Sequence, residues 1–132
     1  MTNTLRFLLP PLFAALFVAP SIATEMQPAI KRQQFVYVLH LTPRMQERNA
    51  WTDAENGVIG QHFARLAKAT ETGQVILAGR TTEALDKTFG LVIFEAETEE
   101  AARLFMESDP AVVANIMTAT LHPYSVALQR RP

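Results

Sequence analysis

The sequence predicts an α+β domain in which two helices cover one face of a four-stranded antiparallel sheet. Two observations on the pattern support this: apolar, β-branched runs of strand length alternate with two helical segments, and their order along the chain is β-α-β-β-α-β. The third observation is size. A chain of 132 residues with 48% hydrophobic content can build one core and does not suggest a second domain.

The N-terminus has the pattern of a secretory signal at residues 1–23. Arg6 precedes an apolar stretch at residues 7–19, and the small residues that follow indicate cleavage after Ala23. The stretch is shorter than the roughly 20 residues of a membrane-spanning helix, so no stable membrane anchor is expected after cleavage. We therefore predict an exported protein, periplasmic or secreted, in which residues 24–34 form a flexible leader.

The first strand and the first helix have readable boundaries. Residues 35–41 are apolar at nearly every position, which is typical of a central strand. Thr52 and Glu55 have the spacing of a capping box, and Gly73 stands where a left-handed C-terminal cap is usual. A helix is therefore predicted near residues 53–72. The side chains expected to form its buried stripe are Ile59, Phe63 and Leu66.

Three residues of this region leave alternatives open. Gly57 and Gly60 each cost about 1 kcal/mol relative to alanine inside a helix. They indicate either a close approach of backbone or ligand, or a ragged first turn. Trp51, just before the cap, is either a hydrophobic staple or the lid of a pocket, and the staple is favoured.

The second half of the chain continues the alternation. Residues 74–80 and 89–96 are rich in apolar and β-branched side chains, and the polar link between them predicts a hairpin. Thr98 followed by two glutamates begins a second helix, because acids in the first turn suit the helix dipole. The residues of this helix expected to face the core are Ala101, Ala102, Phe105 and Met106.

The Asp-Pro pair at 109–110 ends that helix and can open another. Aspartate is a good N-cap and proline is tolerated at the first helical position, so a short helix is predicted through Asn115. A last strand follows at 118–128, with a tail at 129–132. Pro123 lacks an amide donor, which places this strand at an edge or gives it a bulge. The complete order is that of a ferredoxin-like fold.

The strands are apolar on both sides, although two helices can cover only one face of the sheet. Val36 and Val38 alternate with Phe35 and Tyr37 in the first strand, and the third strand has the same character. The uncovered face is therefore expected to be buried in a homodimer, sheet against sheet.

Charge and composition exclude several classes of function. The 12 basic and 13 acidic residues nearly balance, so no field favours nucleic acid as a partner. Without cysteine there is no disulfide and no thiolate nucleophile. His40, His62 and His122 invite a metal hypothesis, but no two have the close helical spacing of metal-ligand pairs. We expect neither a metal nor a cofactor.

Several strings in fixed order resemble one known family. They are His-Phe-Ala-Arg-Leu from His62, Gly-Gln-Val-Ile-Leu-Ala-Gly from Gly73, Phe-Glu-Ala from Phe94, Ser-Asp-Pro from Ser108 and His-Pro-Tyr from His122. Over roughly residues 35–128 the chain is similar to the YciI-related (YCII) family. The resemblance implies a dimeric ferredoxin-like domain, related to muconolactone-isomerase-like α/β barrels, with a His/Asp pair as its active centre.

On this resemblance the pair is His62 and Asp109. An imidazole can act as acid or base near neutral pH when a carboxylate fixes its tautomer. No nucleophile is evident in the sequence. Proton transfer by a lyase or isomerase that acts on an unknown small molecule is therefore favoured over covalent catalysis. Where the family more often has proline, this chain has Arg80. The residues that could dock a substrate are Arg44, Arg48, Arg80 and Tyr124.

The alternative is a non-catalytic dimeric module that binds a small ligand or a protein. In that case His62 only packs and Asp109 only caps a helix. A water-accessible cavity that reaches the imidazole separates the two hypotheses, because a packed histidine without a cavity cannot meet a substrate.

Overall fold

The computed structural model describes residues 32–130. The predicted signal at 1–23 lies outside the described residues, and so does most of the predicted leader at 24–34. Within the described part of the chain, no helix is long and apolar enough to cross a membrane.

The elements follow the predicted order. They are β1 (Gln33–Leu41), α1 (Asp53–Glu71), β2 (Val75–Arg80), β3 (Phe89–Ala96), α2 (Glu99–Glu107), α3 (Pro110–Val113) and β4 (Met117–Tyr124), with 3-10 turns at Pro43–Gln46 and Arg48–Ala50. All neighbouring strands pair antiparallel in the order β2-β3-β1-β4. This confirms the ferredoxin-like fold, and Pro123 lies on the edge strand β4, as its missing donor requires.

The predicted boundaries of α1 are confirmed by its caps, whereas α3 ends at Val113, two residues before its predicted end. The Thr52 hydroxyl accepts a hydrogen bond from the Ala54 amide at 3.2 Å, and the Glu55 carboxylate accepts from the Thr52 amide at 3.3 Å. Hydrogen bonds from the Thr52 side chain and from Arg44 lower the pKa of Glu55 to about 2. At the other end of α1, Gly73 has a φ of +77°, the left-handed conformation that glycine adopts without a Cβ clash.

The core lies between the helices and one face of the sheet. Alternate residues of β1 point into it, as the period of two requires. The Tyr37 ring meets the Phe94 ring edge-on, with 5.6 Å between centroids, and Phe94 in turn contacts Phe105 of α2 at 4.8 Å. The largest buried side chains are Tyr37, Met45, Val92, Phe94, Asp109 and Ile116.

Several details of the sequence prediction were wrong. Ala101 is exposed, because α2 turns only Ala102 and Met106 fully into the core. β4 ends at Tyr124, four residues before the predicted end, and β1 begins at Gln33, two residues early. The predicted core residue Phe63 is 72% exposed.

The two helix glycines also need correction. Gly57 and Gly60 lie inside a regular α1 that begins at Asp53, so the first turn is not ragged. A Cβ built on either glycine would have no atom of the described residues within 4 Å. No close backbone approach accounts for them, and we have no structural reason for their presence.

The second face of the sheet is left uncovered by the helices of residues 32–130. Val36 pairs with Ile93 and Val38 with Leu91 on this face, and all four side chains are half-buried. Homodimerisation through this face stays a prediction.

Candidate functional site

The side chains of His62 and Asp109 meet although 47 residues separate them. His62 is carried by the middle of α1, and Asp109 is the N-cap of α3, with Pro110 at the first helical position as predicted. The His62 Nδ1 atom lies 2.7 Å from Oδ1 and 2.9 Å from Oδ2 of Asp109. Because both carboxylate oxygens face Nδ1, the proton of a neutral ring is held on Nδ1.

Asp109 is held by more groups than a helix cap needs. The amide of Ala111 donates to Oδ1 at 2.9 Å, and the hydroxyl of Tyr37 donates to Oδ2 at 3.0 Å. The guanidinium of Arg65 adds a positive charge, with Nη1 3.8 Å from Oδ2. We call Tyr37, His62, Arg65 and Asp109 the Asp109 cluster. Its carboxylate is completely buried, so its position is fixed by these partners.

The environment decides the charge of this carboxylate. Burial raises the pKa of Asp109, but the hydrogen bond and charge of His62, the Ala111 amide and the Tyr37 hydroxyl outweigh it, and the net pKa is lowered. The pKa of Tyr37 is raised well above its usual range, first by burial and then by the negative charge of Asp109. At neutral pH the cluster therefore contains an ionised aspartate and a neutral tyrosine, whose hydroxyl donates to that carboxylate.

Arg65 ties α1 to the end of α2. Its Nη2 atom donates to the Phe105 carbonyl at 2.6 Å and to the Ser108 hydroxyl at 2.9 Å. Its Cζ atom lies 4.1 Å from the centre of the Phe105 ring, within the range of a cation–π contact. Its buried Nη1 atom has no hydrogen-bond acceptor among the described residues and points its charge towards Asp109. Arg65 therefore fixes the loop that carries Asp109.

Sequence reasoning missed Tyr37 and Arg65. Arg65 follows His62 by three residues, a spacing that places both side chains on one side of a helix and could have signalled the contact. Tyr37 is the only side chain with a hydroxyl in residues 35–41, where aliphatic residues would otherwise suffice. A buried tyrosine hydroxyl needs a partner, which was the available signal.

A cleft of about 800 Å³ opens between α1 and the sheet. The cleft is open because two residues on the helix-covered face of the sheet are small. They are Ala78 of β2 and Gly90 of β3, at positions where larger side chains would fill the space. The residues that line it are Leu39, Leu41, Trp51, Ile59, His62, Phe63, Leu66, Ala67, Thr70, Ala78, Gly79, Arg80, Leu85, Thr88, Phe89, Gly90, Val92 and Met117. Phe63 is exposed because it borders this opening instead of a packed strand.

His62 stands in the wall of the cleft. Its side chain is 13% exposed, and Nδ1 is the ring nitrogen that binds Asp109. Within residues 32–130, no hydrogen bond involves Nε2. This nitrogen has a lone pair when the ring is neutral and a proton when it is charged, so it can take a proton from a molecule in the cleft or give one to it.

The remaining predicted site residues divide between the cleft and the surface. Arg80 lines the cleft. Arg44 is exposed and paired with Glu55 at 3.1 Å, and Arg48 is exposed on the second 3-10 turn. Tyr124 lies on β4 opposite Gln34, outside the cleft. The structure therefore brings only Arg80 of these four into the same cleft as His62.

Trp51 also belongs to the cleft. A hydrophobic staple would pair it with the fourth helical residue, which is the exposed, polar Asn56. Instead its ring lines the cleft and its Nε1 atom donates to the Met45 carbonyl at 2.9 Å. The staple interpretation was wrong, because Trp51 packs against the cluster that contains Met45 and Ile116.

No metal-binding group is formed by the described residues. Nowhere in residues 32–130 do three histidine or acidic side chains gather as ligands. His40 and His122 lie on the uncovered face of the sheet, opposite Thr118 and Val36 respectively. Neither histidine lines the cleft that His62 borders.

The topology defines a ferredoxin-like α+β domain, and the contact between His62 and Asp109 lies in the wall of its cleft. The sequence model of the YCII-related domain matches residues 35–121, well over half of the chain, and the chain belongs to this family. No curated protein matches it. It is similar to the solved structure of 5-chloro-2-hydroxyhydroquinone dehydrochlorinase from Burkholderia phenoliruptrix AC1100 in complex with 2,5-dihydroxybenzoquinone. The identity is 20% over 70% of this chain and 93% of that chain, with a TM-score of 0.48.

Proposed function

We propose that this protein is an exported lyase or isomerase that moves a proton on a small molecule, with His62 as acid and base and Asp109 as its orienting partner. One observation carries the proposal: His62 binds Asp109 through Nδ1 at 2.7 Å while the same ring borders an 800 Å³ cleft. A cleft that reaches the imidazole also favours catalysis over the alternative of a packed histidine in a non-catalytic module.

The reaction begins when Nε2 of neutral His62 removes a proton from a carbon next to an electron-withdrawing group. Asp109 stabilises the imidazolium that forms, because its buried charge lies against Nδ1. The electron pair of the broken C–H bond then forms a double bond. In an elimination this expels a leaving group from the neighbouring carbon, and in an isomerisation the imidazolium returns the proton at another carbon.

Covalent catalysis is less well supported by the lining of the cleft. Its hydroxyl groups belong to Thr70 and Thr88. Thr70 donates to the Leu66 carbonyl at 2.9 Å, and Thr88 donates to the Thr81 carbonyl at 3.0 Å. A nucleophilic hydroxyl would instead be bonded to a general base.

The test is proton exchange in D₂O. A panel of small cyclic ketones, lactones and carbonyl compounds with a β leaving group is incubated with the protein, and deuterium uptake and product formation are followed by ¹H NMR. We expect His62→Gln to lower the exchange rate of an active compound by about 10²- to 10⁴-fold, the usual contribution of a general base.

The matched control is His40→Gln, because His40 is exposed on the uncovered sheet face and does not line the cleft. This variant should keep the full rate. Equal rates for the parent protein and His62→Gln on every active compound would refute the catalytic role of His62.

Export and self-association are part of the proposal and have separate tests. The mass of the mature protein from its native host should correspond to a chain that begins at Thr24. Light scattering on this chain should give the mass of a dimer, and Val38→Lys on the uncovered face should give a monomer, because a charge there would be buried without a partner.

A further inference from the structure

The cleft has an unusual distribution of charge. Its walls are mostly apolar, and no aspartate or glutamate is among the side chains that line it. Its one guanidinium belongs to Arg80, and His62 is the other titratable group in the wall. A cleft of this kind attracts an anion and offers a cation no partner.

Arg80 has a defined place relative to the rest of the cleft. It is the last residue of β2 and pairs with Gly90 of β3, which pairs in turn with Leu39 of β1. Directly opposite residues of an antiparallel sheet share a face, so these three residues form one row on the helix-covered side. With neighbouring strands about 4.8 Å apart, the Cα atom of Arg80 is about 10 Å from β1.

Gly90 leaves the middle of this row open. A Cβ at Gly90 would stand 3.5 Å from the Leu39 side chain and from the Gly79 carbonyl, so any larger side chain would occupy the space between Arg80 and β1. The glycine has no positive φ that would require it for the backbone. The open floor provides room for a ring beside the guanidinium.

The guanidinium of Arg80 is available for a ligand. Arg80 is exposed, and in the described part of the chain no carboxylate lies within 4.0 Å of it, whereas Arg44, Arg65 and Arg103 all have acidic neighbours. The planar fork of an arginine matches the two oxygens of a carboxylate, and such paired bonds give both affinity and orientation.

We propose that the cleft takes a small, largely apolar carboxylate whose anionic group is bound by Arg80 and whose ring extends over Gly90 towards His62. This inference names the substrate class of the proposed function, and its catalytic meaning rests on that proposal. Arg80 is then a specificity-determining residue: it selects the charge of the ligand and sets which carbon reaches Nε2.

Binding of two matched probes tests the inference without turnover. Phenylacetate and phenylacetamide have nearly the same size but differ in charge. Each is titrated into the ¹⁵N-labelled protein, and the shift of the Trp51 indole N–H is followed, because Trp51 lines the cleft and is the single tryptophan. We expect phenylacetate to bind at least about tenfold more tightly, as one charge-assisted pair provides.

Variants locate the effect. Arg80→Gln should remove this preference and leave phenylacetamide unchanged, whereas Arg103→Gln, in an exposed pair with Glu99 on α2, should change neither. Gly90→Val should weaken both probes by filling the floor. Equal affinities of the two probes, an equal loss of both in Arg80→Gln, or no shift by phenylacetate at millimolar concentration would overturn the inference.

The outcomes for binding and for catalysis are separable. His62→Gln should retain binding of phenylacetate, since the anion contacts Arg80. If phenylacetate binds through Arg80 but no compound exchanges protons, the proposed function fails and this inference stands. If carboxylates and neutral compounds exchange equally well in the parent protein and in Arg80→Gln, this inference fails and the proposed function stands.

Discussion

The charged side chains of Asp109 and Arg80 lie in opposite environments. Asp109 is completely buried, and its oxygens contact His62, Tyr37, Ala111 and Arg65. Arg80 is exposed, and no carboxylate of residues 32–130 lies within 4.0 Å of its guanidinium. The first arrangement fixes one side chain in one orientation. The second leaves a guanidinium without a carboxylate partner among the described residues, in the wall of the cleft, where we propose that an anionic ligand binds.

Apolar residues of α1 show the same contrast. Leu66 is 6% exposed and belongs to the core, while Phe63 is 72% exposed at the edge of the cleft. They are neighbours on one helix and differ in what lies opposite. Leu66 therefore contributes to the core, whereas Phe63 contributes an exposed ring at the border of the cleft.

The largest expected effect comes from emptying the centre of the Asp109 cluster. Asp109→Ala leaves the Tyr37 hydroxyl and the Ala111 amide without their acceptor, and it leaves the Arg65 charge without its neighbouring carboxylate. Breaking a buried ion pair on one side costs about 3–5 kcal/mol, so the free energy of unfolding in urea should fall by that amount. A loss below about 1 kcal/mol, the typical value of an N-cap alone, would reduce Asp109 to a helix cap.

The next effect separates the two sides of α1. Leu66→Ala should lower the free energy of unfolding by about 2–5 kcal/mol, because it leaves a hole in the core. Phe63→Ala should change it by no more than about 0.5 kcal/mol, as for other exposed positions. Urea denaturation of both variants gives the comparison, and similar losses would mean that Phe63 is packed in solution.

A smaller effect is expected when one donor to Asp109 is removed. Tyr37→Phe keeps the ring in the core and deletes the hydroxyl, and a hydrogen bond to a charged group contributes about 1.5–3 kcal/mol. The pKa of Asp109 should rise, since the Tyr37 hydroxyl helps to lower it. Chemical denaturation and a ¹³C titration of the carboxyl carbon measure the two results. An unchanged pKa of Asp109 in Tyr37→Phe would mean that the Tyr37 hydroxyl does not donate to this carboxylate.

The smallest expected effect is on the stability of the fold at low pH. It is small because burial opposes the interactions that lower the pKa of Asp109. A carboxyl group whose pKa is lower in the folded chain stabilises the fold fully above its ordinary value of 3.8, and this contribution is lost as pH falls through the folded pKa. Unfolding measured from pH 5 downwards should show the loss. Asp109→Asn should have a flatter profile over this range, and identical profiles would contradict the assignment.

Local signals in the sequence were enough for the fold. Thr52, Thr98 and Asp109 mark helix starts through their side-chain oxygens, and Gly73 marks a helix end through its left-handed backbone, as found. Such features depend only on neighbours within a few residues. The periodicity of the strands then leaves few ways to bury their apolar faces.

The site depended on contacts that local patterns do not contain. The hydrogen bond from Tyr37 to Asp109 joins residues 72 positions apart and requires the final position of β1 relative to the N-cap of α3. The exposure of Phe63 follows from Ala78 and Gly90 on the opposite strands, which no period within α1 can indicate. The pair of His62 and Asp109 was proposed through resemblance to a family, and spacing in sequence does not decide whether the two side chains meet.

The tautomer of His62 is the most direct test of the role proposed for the contact between His62 and Asp109. Long-range ¹H–¹⁵N correlation spectra, recorded at a pH where the ring is neutral, distinguish a protonated Nδ1 from a protonated Nε2. We predict a proton on Nδ1 and a lone pair on Nε2, with this preference lost in Asp109→Ala. A ring protonated on Nε2, or a tautomer mixture that is the same in both proteins, would contradict this role of Asp109.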